Sequence, residues 1–128
     1  MMRKLVSSGS PFEATIGFSR AVRVGAYITV SGTAPITANG GTACPGDAYG
    51  QARRCFEIIE KAINEAGGKL EHVVRTRMFV KDMRDCDAIS RAHGEFFKDI
   101  RPAATMVQIV QAIDPAWLVE IEADAIVD

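Results

Sequence analysis

Apolar positions along this chain repeat with two periods, and the switches between them divide it into elements. Lys4 to Val6 is a short apolar stretch that reads as an edge strand, and Ser7-Ser8-Gly9-Ser10-Pro11 is a turn. Ala21-Val22-Arg23-Val24 and Tyr27-Ile28-Thr29-Val30-Ser31 flank Gly25-Ala26, which predicts a hairpin of β-branched strands. Gly32 to Asp47, rich in Gly, Thr, Ala and Pro, is a loop. The period then becomes helical. Ala48, Ala52, Cys55, Ile59, Ala62 and Ala66 share one face, Asp47 is a suitable N-cap, and Gly67-Gly68 stops the helix. The small residues on that face predict close packing against a sheet.

Alternation returns at Val73 to Lys81, predicting a strand. It places Val74, Thr76, Met78 and Val80 on one side and Val73, Arg75, Arg77 and Phe79 on the other. A second helix starts at Asp85, with Cys86, Ile89, His93 and Phe96 inward, and ends before Arg101-Pro102, because proline disfavours helix in the residue before it. Thr105 to Val110 is a further strand, Ile113 to Ala116 a turn, and Leu118 to Ile126 the last strand. That strand sets Val119, Ile121, Ala123 and Ala125 on one face and Glu120, Glu122 and Asp124 on the other. The order predicts one α+β domain over residues 1–128, a single mixed six-stranded sheet with two helices on one face. The other face is left to water or to another subunit.

Composition narrows the classes. With 128 residues, 48% hydrophobic, a single core is feasible. The formal net charge of −1 gives no basic field to attract nucleic acid, and no apolar run approaches a membrane span. The N-terminal stretch from Met1 to Ser7 is charged and lacks an apolar signal-peptide core, so the expected location is cytoplasmic. Cys44, Cys55 and Cys86 are odd in number and form no CxxC, which opposes a disulfide framework or a zinc site. Cys55 and Cys86 fall on apolar helix faces as small hydrophobes, and Cys44 lies in a loop. Gly40-Gly41 lacks the rest of a phosphate loop, and no GxGxxG, GxSxG or HExxH occurs. Neither metal nor cofactor is expected.

Several short motifs occur in order. They are Val30-Ser31-Gly32 with Pro35, Gln51 in the first helix, Ala66-Gly67-Gly68, and His72-Val73-Val74. Phe79-Val80-Lys81-Asp82, Phe96-Phe97, Pro102-Ala103 and Val119-Glu120-Ile121-Glu122-Ala123 follow. Together they resemble the RidA/YjgF family over nearly the whole chain. The resemblance implies a chorismate-mutase-like homotrimer whose open sheet faces pack into a central barrel, with small-metabolite clefts between subunits. Active members hydrolyse 2-aminoacrylate and related imines to keto acids and ammonia without metal or cofactor.

Carried over by resemblance, Glu120 is the water-positioning carboxylate and Ser31 lines the cleft. Phe18 approximates a tyrosine without its hydroxyl, Ser90 replaces an asparagine, and Met106 replaces a cysteine. Ala104 replaces the arginine that clamps the substrate carboxylate. Losing that charge-assisted contact would weaken binding by about 1.5–3 kcal/mol. Arg77 is a candidate substitute cation; alternatively it pairs across strands with acids such as Glu120 or Glu122. His93 is a candidate proton shuttle; alternatively it is a satisfied histidine on an apolar helix face. Glu120 itself would otherwise be one more solvated strand carboxylate. The leading functional expectation is a hydrolytic deaminase of reactive imines or enamines. The alternatives are a non-catalytic trimer binding a small metabolite, and a ribonuclease or translation inhibitor, which the balanced charge and sparse aromatics oppose.

Overall fold

The computed structural model describes residues 2–128. Met1, part of the stretch read above for a leader, lies outside the described residues. Six strands form one mixed sheet: β1 (Arg3–Val6), β2 (Ala21–Val24), β3 (Tyr27–Thr33), β4 (Val73–Val80), β5 (Ala103–Gln108) and β6 (Val119–Ile126). Their spatial order is β1-β2-β3-β6-β4-β5. All pairs are antiparallel except β4–β5, which is parallel and is joined by a helical crossover. Two helices, α1 (Ala48–Glu65) and α2 (Cys86–Phe97), cover one face. The expected α+β architecture is present.

The helix ends follow their sequence signals. Gly50 N donates to the Asp47 carboxylate at 3.1 Å, capping α1. At the other end Gly67 adopts a φ of +88°, and Gly68 N returns to the Ile63 carbonyl at 2.9 Å. Arg23 adds a cation there, donating to the Ala66 carbonyl at 2.9 Å. Gly68 also lets the helix meet the sheet, since a Cβ there would stand 2.8 Å from Ile28 Cδ1.

The core lies between the helices and the sheet. Ala52, Cys55, Phe56, Ile59 and Ile63 of α1 meet Ile28, Val80, Ile121, Ala123 and Ala125 of the strands. Gln51, fully buried, ties α1 to the segment entering β6. Leu118 N donates to its Oε1 at 2.8 Å, and its Nε2 donates to the Ala116 carbonyl at 3.1 Å. Cys86 departs from its expected inward place: it is only half-buried, with its thiol 3.9 Å from the Ser90 hydroxyl.

Two β-bulges interrupt the registers. On β4, Val73 pairs with Ala125 and Arg75 with Asp124, so Val74 is an extra residue. This corrects the expected faces: Val73 is buried with Thr76, Met78 and Val80, and Val74 points outward. On β3, Val30 pairs with Ala123 and Thr33 with Ile121, so Ser31 and Gly32 together oppose Glu122. Strand β5 starts at Ala103, two residues before the expected Thr105, because Arg75 and Thr76 pair with Ala103 and Ala104.

Candidate functional site

The sheet face without helices carries a cleft of about 600 Å3. Its floor is built from alternate residues of β2, β3, β6 and β4, among them Val22, Thr29, Asp124 and Arg77. Its wall is the segment ending in Phe18, which follows a single turn at Glu13–Gly17. Glu13 folds that segment. Ser7 Oγ donates to it at 2.8 Å, Ser8 Oγ at 2.6 Å and Ser8 N at 2.8 Å. The Ser8 hydroxyl, then the Ser8 amide and the Ser7 hydroxyl, hold the Glu13 carboxyl below its usual range.

Charges on the floor are arranged across three strands. Thr29 Oγ1 donates to Asp124 Oδ1 at 2.7 Å, and Arg77 Nη1 donates to Asp124 Oδ2 at 3.2 Å. Glu122 stands 3.7 Å from the same Arg77 nitrogen. Arg77 is therefore the cross-strand partner of two acids, Glu122 as anticipated and Asp124 in addition. Its guanidinium keeps further N–H donors beyond Nη1.

The β3 bulge organises the side of the site toward β6. Ser31 Oγ donates to the Ser19 carbonyl at 2.6 Å, leaving its oxygen free to accept. Arg20 Nη2 donates to the Ser31 and Gly32 carbonyls at 2.6 and 2.7 Å. A Cβ at position 32 would stand 2.8 Å from Glu120 Oε2, so the carboxylate lies over the glycine. Glu120 is half-buried. Desolvation pushes its pKa up, while the Arg20 charge pulls the other way and Glu122 adds to the rise. Behind the bulge, the Cys55 thiol donates to the Thr33 carbonyl at 3.3 Å, and burial pushes its pKa far up, so it stays protonated.

The eight residues singled out in the sequence fall on two sides of the sheet. Phe18, Ser31 and Arg77 line the cleft, and Glu120 stands next to it over Gly32. Ala104 and Met106 pair in register with Thr76 and Met78, which places them on the helix side. Ser90 is exposed on α2. His93 is also on the helix side, as the apolar-face alternative anticipates. Its Nε2 is 2.8 Å from Thr76 Oγ1, and its ring packs on Phe56 and Phe97. Burial lowers its pKa, so it is neutral at pH 7. Within one protomer the sheet separates His93, Ser90, Ala104 and Met106 from Arg77.

Sequence reasoning missed Arg20, Gly32, Thr29 and Glu13. Of these, only Gly32 carried a signal, as half of the Ser-Gly motif. Among the described residues no cluster of three His, Cys, Asp or Glu is placed to hold a metal, and no helix is long and apolar enough to cross a membrane.

Comparison with known proteins follows the same lines. The sequence profile described as Endoribonuclease L-PSP, that of the RidA/YjgF group, matches residues 9–127. The chain belongs to the RidA/YjgF family. A crystal structure of a YjgF/YER057c/UK114 family member from Mycobacterium tuberculosis superimposes with a TM-score of 0.89 at 41% identity, covering 98% of this chain and 100% of that one. An uncharacterized Streptomyces coelicolor protein is 41% identical over 122 residues, 94% of this chain and 89% of that protein. The 3-aminoacrylate deaminase RutC of Acinetobacter baylyi is 36% identical over 94 residues, 73% of this chain and 74% of that enzyme.

Proposed function

We propose that this RidA/YjgF protein is a hydrolytic deaminase of reactive imines or enamines, working as a homotrimer with clefts between subunits. The observation that carries the reading is the Glu120 carboxylate, half-buried over Gly32 beside Ser31, with a pKa raised by desolvation. A carboxylate of raised pKa is a stronger base and suits proton transfer from water near neutral pH. The similarity to a 3-aminoacrylate deaminase supports the same chemistry.

The reaction balances as imine plus water giving carbonyl plus ammonia. An enamine first takes a proton at carbon to become the iminium. Water then adds to the C=N carbon while Glu120 accepts its proton. That proton passes to the nitrogen; the carbinolamine hydroxyl then gives its own proton to the Glu120 carboxylate as the C=O bond forms and the C–N bond breaks, and ammonia leaves. Ser31 has an oxygen free to accept an N–H from the iminium. Ala104 offers no clamp, so recognition does not rest on that position; Arg77, held by Asp124 and Glu122, has N–H donors left for an anionic group. A cytoplasmic location accompanies this reading and suits the three free thiols.

A second reading, a trimer that binds a small metabolite without turnover, draws on the apolar Phe18 and Ala104 and on the double pairing of Arg77. Ribonuclease action fits less well, since Glu13, Glu122 and Asp124 face Arg3 and Arg77 in the cleft and would repel a phosphate chain.

The test generates 2-imino acids with an amino-acid oxidase and traps the survivors with semicarbazide. Wild-type protein is expected to speed imine loss, and Glu120→Ala to reduce that rate by about 10²–10⁴-fold. Wild type indistinguishable from buffer across several imines would overturn the deaminase reading and leave the metabolite-binding trimer.

A further inference from the structure

Arg20 precedes β2, in a segment whose sequence carries no strand pattern, yet its side chain is largely buried. Long cations are seldom buried without a task, because their desolvation is costly. Most of its visible bonding goes to one place. Both bonds from Nη2 end on the carbonyls of Ser31 and Gly32, the two residues of the β3 bulge. The backbone amide of Ser31 returns to the Arg20 carbonyl at 3.0 Å, closing the contact. Nε is buried with no hydrogen-bond partner among the described residues.

Glu120 meets the same bulge from β6. Its carboxylate occupies the space a side chain at position 32 would take. Two ionisable groups act on it, Arg20 from the segment before β2 and Glu122 from its own strand, and its own charge helps raise the pKa of a third, the Cys55 thiol of α1. From β4 it is opposed by Phe79, which is uncharged. Cys55 stays protonated and Glu122 repels, so Arg20 is the one cation among the three.

We propose that Arg20 is a positioning residue for Glu120: its guanidinium pins the Ser31–Gly32 bulge over which the carboxylate lies and keeps a positive charge beside it. The inference rests on Glu120 being the working carboxylate of the proposed hydrolase. It adds a division of labour. Burial makes Glu120 a better base, and Arg20 keeps it ionised enough to act as one. The cation that position 104 does not supply to substrate is not replaced by Arg20, whose Nη2 is committed to the bulge carbonyls and whose Nε is buried.

The test reads ionisation directly and needs no substrate. Carbon-detected NMR follows the Glu120 carboxyl in wild type, Arg20→Gln and Arg20→Lys. Glutamine has no charge, and its amide ends at the level of Nε, short of the bulge carbonyls; lysine keeps the charge and loses the fork. The Glu120 midpoint is expected to shift upward in Arg20→Gln and to stay near wild type in Arg20→Lys. A midpoint unmoved in a folded Arg20→Gln would overturn the proposal, as would equal shifts in both variants. Wild type gives an independent reading should Arg20→Gln fail to fold. Its buried Arg20 Nε–H resonance is expected to titrate with the Glu120 midpoint and to lose that pH response in Glu120→Gln. A resonance blind to pH in wild type also sinks the idea. An inactive protein with the expected titrations would remove the deaminase reading alone, and an active one with unmoved titrations would remove Arg20 alone.

Discussion

Position 32 has to be glycine for a reason outside its own strand. Its backbone is in ordinary conformation; what needs room is the carboxylate of Glu120, 2.8 Å from where a Cβ would stand. The obstructing atom is the far end of a side chain, so Gly32→Ala need not disturb the core. It should displace the carboxylate instead. We expect Gly32→Ala to fold with little loss of thermal stability and to lose about 10²-fold in imine hydrolysis, the scale on which misplacement of about 1 Å acts. A large fall in Tm with full specific activity would show that the glycine serves the bulge and not Glu120. The contrast with Gly68 is instructive, since there the added Cβ would meet Ile28, Ile63 and Val127 inside the core.

The contact of α1, α2 and β4 is where the second candidate acid–base group went. His93 of α2 packs on Phe56 and Phe97 and bonds Thr76 of β4. Burial lowers its pKa, so the unfolded chain binds a proton that the folded one refuses. The stability held by neutral His93 is thus fully present above its unfolded pKa of about 6.5 and is lost as pH falls through that value toward the lowered folded one. Glu13, Asp82 and Glu95, whose pKa values are lowered, act at more acid pH, and Glu120, whose pKa is raised, acts in the opposite direction. Urea midpoints of wild type are expected to fall between about pH 8 and about pH 5 more steeply than those of His93→Gln. Parallel curves would mean His93 carries no such linkage. This element also shows how far sequence periodicity reaches. The 3.6 period placed His93 inward, beside Ile89 and Phe96, and that was correct. Which side of the sheet the helix would cover relative to the cleft depends on strand order, and no local pattern encodes it. The β4 bulge is a similar case: strict alternation predicts Val73 beside Arg75 and Val74 beside Thr76, but pairing with β6 leaves Val74 out and exchanges the sides of both. Glu120, Ser31 and Phe18 were legible through motifs. Arg20 was not, because its importance comes from two carbonyls freed by a bulge that only the β3–β6 register creates.

At the scale of the molecule, one layer of helices on one layer of sheet leaves an uncovered side. The protomer exposes 7189 Å2, against about 6,600 Å2 for a typical folded monomer of this mass by surface scaling. Apolar groups collect there and along the β5 edge. Val107 lies opposite Phe79 on the open face, and Val110 and Ile113 are almost fully exposed in the segment that follows. Leu5, Phe12 and Ile16 add to this surface from the other end of the chain. Such patches on a small protein mark association, and an unpaired edge strand invites it. The sheet also splits the candidate residues, with Arg77 on one side and Ala104, Met106 and Ser90 on the other. In the proposed homotrimer, closed cyclic assembly would bring the two sides of different protomers together and complete the cleft. Sedimentation of wild type should therefore give a species of three times 13.8 kDa. Val107→Glu places a charge on the apolar side of β5 without touching the core, and it should shift the species toward monomer and remove imine hydrolysis with it. A monomeric wild type would overturn the trimer. A Val107→Glu protein that remains trimeric would place the contact elsewhere, and one that turns monomeric with full activity would show that each protomer holds a complete site.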